Sequence, residues 1–141
     1  MEHLAKLVAI HKVQNHVSFI GRIQYEELPR FICAGDVFAM PSRSRLAGLE
    51  VEGLGIVYLE ASACGLPVVA GNSGGAPDAV VEGQTGLVVD GTNNAQIATA
   101  IISLLTDPKK SQEMGAAGRR WIVENWRWEI WSTRFNQLLE K

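Results

Sequence analysis

Apolar and polar positions along the chain alternate between a helical period and a strand period. Residues 2–13 place Leu4, Leu7, Val8 and His11 at helical spacing, and HVSFIGR (16–22) then reads as a short buried strand ending at Gly21. YEELPRFICAGD (25–36) carries acidic residues and an early proline suited to a first helical turn, with Gly35 suited to its end. VFAMP (37–41) returns to a strand. Residues 54–65, LGIVYLEASACG, predict a helix closed by Gly65, while LPVVAG (66–71) and TGLVVD (85–90) predict β-branched strands. The glycine-rich stretch between those two strands predicts a turn with one helical turn at Pro77. Helices over 94–106, over 107–126 with Asp107 as cap and Pro108 at the first position, and over 128–140 complete the pattern.

Strands alternating with helices at this spacing predict an α/β fold, a Rossmann-like doubly wound parallel sheet covered on both faces. Ligands of such sheets bind outside the carboxyl ends of the strands. The long connection Ser42 to Gly53, after VFAMP, and the glycine turn after VVA would share that edge. No internal repeat or low-complexity tract interrupts the sequence, so residues 1–141 are expected to form one domain.

Composition removes several classes. A net charge of -2 and a pI near 5.9 give no basic footprint for nucleic acid. No apolar run approaches the roughly 20 residues that span a bilayer, and no signal-peptide layout opens the chain, so the expectation is a cytoplasmic protein. Cys33 and Cys64 are far apart in sequence and each sits in an apolar context, which predicts buried free thiols rather than a disulfide or a metal pair. His3, His11 and His16 have no carboxylate or cysteine at ligand spacing, and no metal is expected.

GLEVEGLGIVYLEASACGLPVVAG (48–71) sets Glu52 and Glu60 at either end of an apolar run. On a helix, eight residues rise about 12 Å, which would let both carboxylates face one cleft from its two ends. The amides of Gly53, Leu54, Gly55, Ile56 and Val57 would be the unpaired donors of the first turn, a start suited to a pyrophosphate. A carboxylate at the far end suits vicinal ribose hydroxyls, and one at the near end suits hexose hydroxyls. Read without that company, Glu52 is a first-turn residue placed against the helix dipole and Glu60 the polar edge of an amphipathic helix. GNSGG lacks the lysine of a P-loop, and no G-x-G-x-x-G follows a strand.

The segment from FIGR (19–22) through PS (41–42), E-x7-E (52–60), GLPVVA (65–70), GGAP (74–77) and TGLVV (85–89) resembles the C-terminal, donor-binding domain of retaining GT-B glycosyltransferases, the glycosyl transferases group 1 family. GLEVEGLGIVYLEA is most similar to GDP-mannose-dependent phosphatidyl-inositol mannosyltransferases. The resemblance implies that Glu52 acts catalytically against the donor hexose, that Glu60 holds the ribose hydroxyls, and that Gly53, Leu54, Gly55, Ile56 and Val57 contact the sugar and diphosphate. It places Gly21, Ile23 and Tyr25 towards the base. It also implies a nucleotide-sugar substrate such as GDP-mannose, a lipid or glycan acceptor, no further cofactor, and a place at the inner face of the membrane. The alternative reading is a non-catalytic nucleotide-binding or scaffold module of the same fold.

Family members are longer, with an acceptor-binding N-terminal domain, and carry an arginine and a lysine in a GR…K segment that neutralises the departing diphosphate. Arg22 follows a glycine but has no such lysine after it, so the chain reads as a donor half, expected to be inactive alone. Arg43 and Arg45 read as solvated charges. Trp121, Trp128, Trp131 and Phe135 form a helical stripe that predicts a packed face, with any exposed part a surface for self-association.

Overall fold

A three-stranded parallel sheet organises the chain in the computed structural model, which describes residues 1–140. Its strands are β1 (Phe38–Met40), β2 (Val68–Gly71) and β3 (Gly86–Val89), in the order β1-β2-β3. Phe38 pairs with Val68, and Val68 in turn with Gly86. The helices are α1 (Glu2–Ile10), α2 (Leu28–Ile32), α3 (Ile56–Ala63), α4 (Asn94–Leu105), α5 (Pro108–Asn125) and α6 (Trp128–Leu139).

Both faces of the sheet are covered, as an unbroken β-branched run requires of a central parallel strand. All four residues of β2 are buried, and successive side chains serve opposite layers. Val68 and Ala70 pack with Tyr58 and Ala61 of α3 and with Ala76, Ala79 and Val80. Val69 joins Val89, Ala100 and Leu104 of α4, and Met114 of α5 on the other side. Asp107 caps α5 as its sequence predicts, accepting from the Lys110 amide at 3.0 Å, with Pro108 in the first turn.

Three expectations are corrected. Residues 16–22 form no strand: Gln14–His16 make a 3-10 turn, and residues 17–24 join no strand or bridge among the described residues. An alternating pattern supplies the faces of a strand but not its hydrogen-bond partner, and no ladder reaches this segment among the described residues. Phe19 and Ile20 consequently stay 43% and 62% exposed. The helix expected over 25–36 is a 3-10 turn at Tyr25–Glu27 followed by the short α2, which buries no residue. The thiols are free but not buried: Cys33 is exposed and Cys64 half-buried.

The C-terminal stripe also divides differently. Trp121 packs on Trp126, and Trp126 on Trp131, at centroid separations of 5.6 and 5.4 Å. Trp128 and Phe135 stand outside this cluster, 85% and 60% exposed. No described helix is long and apolar enough to cross a membrane.

Candidate functional site

The chain leaves β1 through Pro41 and Ser42 at the carboxyl edge of the sheet and, apart from a 3-10 turn at Leu46–Gly48, forms no helix or strand until α3. Between them lies the connection that carries Glu52. Its middle is closed by an Arg45–Glu50 antiparallel bridge whose side chains also pair at 3.5 Å. Both are more than half exposed, so the ion pair shapes the loop with little energy of its own. Arg43 makes no ion pair with a described residue.

Glu52 is held from two directions. The turn after β2 grips its backbone: the Gly75 amide donates to the Glu52 carbonyl at 3.0 Å, and the Glu52 amide donates to Ser73 Oγ at 3.3 Å. Gly75 permits this approach, since a Cβ there would lie 2.0 Å from the Gly53 carbonyl oxygen. Ser44 and Ser73 hydroxyls, 3.1 Å apart, tie the same loop and turn together. The expected shared edge is therefore formed.

The Glu52 side chain turns to Ser42, whose hydroxyl donates to Glu52 Oε2 at 3.1 Å. Ser42 Oγ also lies 2.9 Å from the Tyr58 hydroxyl, which donates to the Met40 carbonyl at 2.7 Å. With the Tyr58 proton committed to Met40, the single Ser42 proton serves two acceptors, the Glu52 carboxylate and the Tyr58 oxygen. A Glu52 that swings away to a ligand leaves Ser42 with Tyr58 as its acceptor. Burial pushes the Tyr58 hydroxyl above its ordinary pKa; the Ser42 hydrogen bond opposes this, and the charge of Glu52 adds to it.

Glu52 is not on a helix. Gly55 adopts the left-handed region at φ 73° and starts α3 at Ile56, so Glu60 alone of the two glutamates is helical. The amides of Gly53, Leu54, Gly55, Ile56 and Val57 donate to no described residue. Five free donors thus lie between the two carboxylates, as the sequence suggests, but along a turn followed by a helix start.

The carboxylates open onto different spaces. Glu52 lines a cleft of about 560 Å³ with Ser42, Arg43, Arg45, Gly91 and Asn94. Glu60 and Tyr25 share a second cavity of about 570 Å³ between α2 and α3, and Glu60 also borders a third, of about 610 Å³, walled by Ile56, Trp126 and Trp131. Tyr25 is therefore beside Glu60. Gly21, at φ 77° and exposed, and the half-buried Ile23 line none of these three spaces.

Tyr58 and Ser73 are residues that sequence reasoning did not single out, and Ser42 entered it only as part of PS (41–42), with no role assigned. Tyr58 left a trace, because a tyrosine inside an apolar helix needs a partner for its hydroxyl. Ser73 left none.

Comparison with known proteins gives a consistent result. Residues 2–121 match the family described as Glycosyl transferases group 1. The chain is 54% identical, over 99% of its length, to a GDP-mannose-dependent alpha-(1-6)-phosphatidylinositol monomannoside mannosyltransferase of Mycolicibacterium smegmatis, 36% of which it covers. It is 49% identical over 91% of its length to the corresponding monoacylated-substrate mannosyltransferase of Corynebacterium glutamicum, covering 33% of that protein. The chain thus spans about a third of the length of these relatives. Among solved structures, sucrose-phosphate synthase from Thermosynechococcus elongatus superposes with a TM-score of 0.87 at 31% identity, over 99% of this chain and 33% of that one. The Anabaena protein HepE in complex with UDP superposes at 0.89 with 23% identity, over 99% of this chain and 36% of that one, a likeness of fold.

Proposed function

The chain belongs to the glycosyl transferases group 1 family, and from that membership we propose that it is the nucleotide-sugar donor-binding part of a retaining hexosyltransferase that uses GDP-mannose. The observation that carries this reading is the run of five unpaired amides, from Gly53 to Val57, set between Glu52 and Glu60. The donor diphosphate lies along those amides, where neutral donors at a helix start favour an anion without a compensating buried cation. Glu52, released from Ser42, accepts hydroxyls of the hexose. Glu60 accepts the vicinal hydroxyls of the ribose, and the base lies towards Tyr25 and the preceding segment that includes Gly21 and Ile23. As the sugar–phosphate bond breaks, negative charge grows on the departing diphosphate, and fixed N–H dipoles aimed at it lower the barrier. The acceptor is a lipid or glycan; the names of the mannosyltransferase relatives support a phosphatidylinositol-type lipid. Such an acceptor calls for work at the inner membrane face.

The test is an amide-resolved NMR titration with GDP, UDP, ADP and GDP-mannose. Selective shifts of Gly55, Ile56, Val57 and Glu60 with the guanine nucleotides are expected. A companion chimera replaces the matching third of the Mycolicibacterium smegmatis relative with this chain and is expected to transfer mannose. A chimera that folds and binds no nucleotide would sink the reading.

A further inference from the structure

Two helices of this chain end side by side, each in a cysteine. Cys33 is the residue after α2 and Cys64 the residue after α3. Both converge on one atom: the Cys33 amide donates to the Pro29 carbonyl at 2.9 Å, and the Cys64 thiol reaches the same oxygen at 4.0 Å. The two side chains line a single cavity together with Tyr25, Pro29, Glu60 and Arg119. Neither thiol has a part in the donor site described above.

We propose that Cys33 and Cys64 are a reversible dithiol–disulfide site, oxidised by exchange with small-molecule disulfides such as oxidised glutathione, and that closing the bond reshapes the cavity wall carrying Tyr25 and Glu60. The exposed Cys33 is reached first. Its thiolate attacks one sulfur of the small disulfide, forming a mixed disulfide at Cys33 and releasing one small thiolate, which takes up a proton. The Cys64 thiolate then attacks Cys33 Sγ, the Cys33–Cys64 bond forms, and the second small thiolate leaves. Two protein thiols have lost two electrons and two protons, and one small disulfide has become two thiols.

The surroundings of Cys64 impose that order. Burial raises its pKa to about 11, helped by the hydrogen bond to Cys33 and the charge of Cys33 and of Glu60, against the opposing charge of Arg119. Capping Cys33 as a mixed disulfide removes that neighbour's charge while the Arg119 guanidinium, anchored on the Ala63 carbonyl, remains. Any backbone movement on closure falls on α2 rather than α3. Tyr58, Ala61 and Ser62 root α3 in the core, whereas α2 buries nothing and is continuous with the Tyr25–Glu27 turn. A disulfide draws the two Cα atoms to within about 4.4–6.8 Å. Such movement carries Tyr25 with α2 against a Glu60 held on α3.

The test equilibrates the chain with reduced and oxidised glutathione at varied ratio, quenches with acid and reads intact mass and peptide maps. The expected product has lost both free thiols, yields a Cys33–Cys64 cross-linked peptide, reverts with dithiothreitol, and is absent from Cys33→Ser. Two free thiols at full oxidation, or a glutathione adduct on Cys33 that never closes, overturn the site. Amide spectra of the same samples are expected to show Tyr25 and Glu60 shifting on oxidation in the wild type and not in Cys33→Ser. A disulfide that forms with both amides unmoved overturns the coupling. No nucleotide is present in either arm, so failure of the donor assignment leaves this result readable.

Discussion

Tyr58 and Glu52 share the hydroxyl of Ser42, at 2.9 and 3.1 Å. Because the Tyr58 proton goes to the Met40 carbonyl, Ser42 can donate to whichever of the two oxygens is present. In the proposed donor site, Glu52 would leave for a sugar hydroxyl without stranding the Ser42 donor and would return to one orientation when the site empties.

Ser42→Ala tests that arrangement. Tyr58 keeps its bond to Met40, so the fold should hold, while Glu52 loses the group that aims it. In the chimera, kcat is expected to fall about 10- to 100-fold, the range associated with a misplaced catalytic group, with nucleotide affinity unchanged. Equal loss of affinity and kcat would make Ser42 a general prop of the loop instead.

Tyr58 also makes a prediction about alkaline stability. Its side chain is fully buried, and its folded pKa lies above the ordinary 10.0. The folded state thus holds this proton more tightly than the unfolded state, so the associated stability is complete below pH 10 and is lost as pH rises through the folded value. Tyr58→Phe cannot titrate and loses the hydrogen bond to the Met40 carbonyl, which keeps the Ser42 amide at 2.8 Å, so the cost near neutrality is about 0.5–1.5 kcal/mol. In urea unfolding, the wild type should exceed Tyr58→Phe at about pH 8, and the gap should narrow as pH rises above the ordinary tyrosine value. Lysine deprotonation affects both proteins alike, so a gap independent of pH would contradict the shift.

The elements that sequence reasoning finds are those whose cause is local. Val68 and Val69 sit in an unbroken apolar run bounded by Pro67 and Gly71, and Asp107 with Pro108 writes a helix start into adjacent positions. Residues 16–22 have the right alternation and still form no strand, because pairing depends on a neighbour that periodicity does not describe. Glu52 and Glu60 are legible as a spaced pair. Their separation by the Gly55 turn is not, since a glycine in an apolar run reads equally as a helix interior or a left-handed start. Ser42 is legible as part of PS (41–42) but its role is not, because that role comes from meeting Glu52 and Tyr58 across the sheet edge. The same holds for Cys33 and Cys64, distant in sequence and joined only where α2 and α3 end.

Glu60 can be tested by removing either partner of its proposed contact. A carboxylate accepting ribose hydroxyls makes charge-assisted hydrogen bonds, each worth about 1.5–3 kcal/mol. Glu60→Ala removes both contacts and should weaken GDP binding to the chimera by about 100-fold or more in calorimetry. 2′-Deoxy-GDP, which keeps the 3′-hydroxyl, should suffer a smaller loss of about 10-fold or more with the wild type and almost none with Glu60→Ala, because the interaction is already gone. Losses that simply add would place the ribose elsewhere.

Two glycines in the five-amide run separate shape from chemistry. Gly55 is left-handed, and a Cβ there would lie 2.3 and 2.4 Å from two ring carbons of Tyr58. Gly53→Ala meets nothing within 4 Å and needs no unusual backbone. Gly55→Ala combines a strained backbone with an overpacked contact and should cost about 3 kcal/mol or more, whereas Gly53→Ala should stay within about 0.5 kcal/mol of the wild type. The ring displaced by Gly55→Ala carries the hydroxyl that meets Ser42, so the damage extends from the helix start to the orientation of Glu52. Urea unfolding of the two variants reads the first effect. The amide shift of Glu52, expected to change in Gly55→Ala and not in Gly53→Ala, reads the second; an unmoved Glu52 in a destabilised Gly55→Ala would show that Tyr58 does not govern the carboxylate.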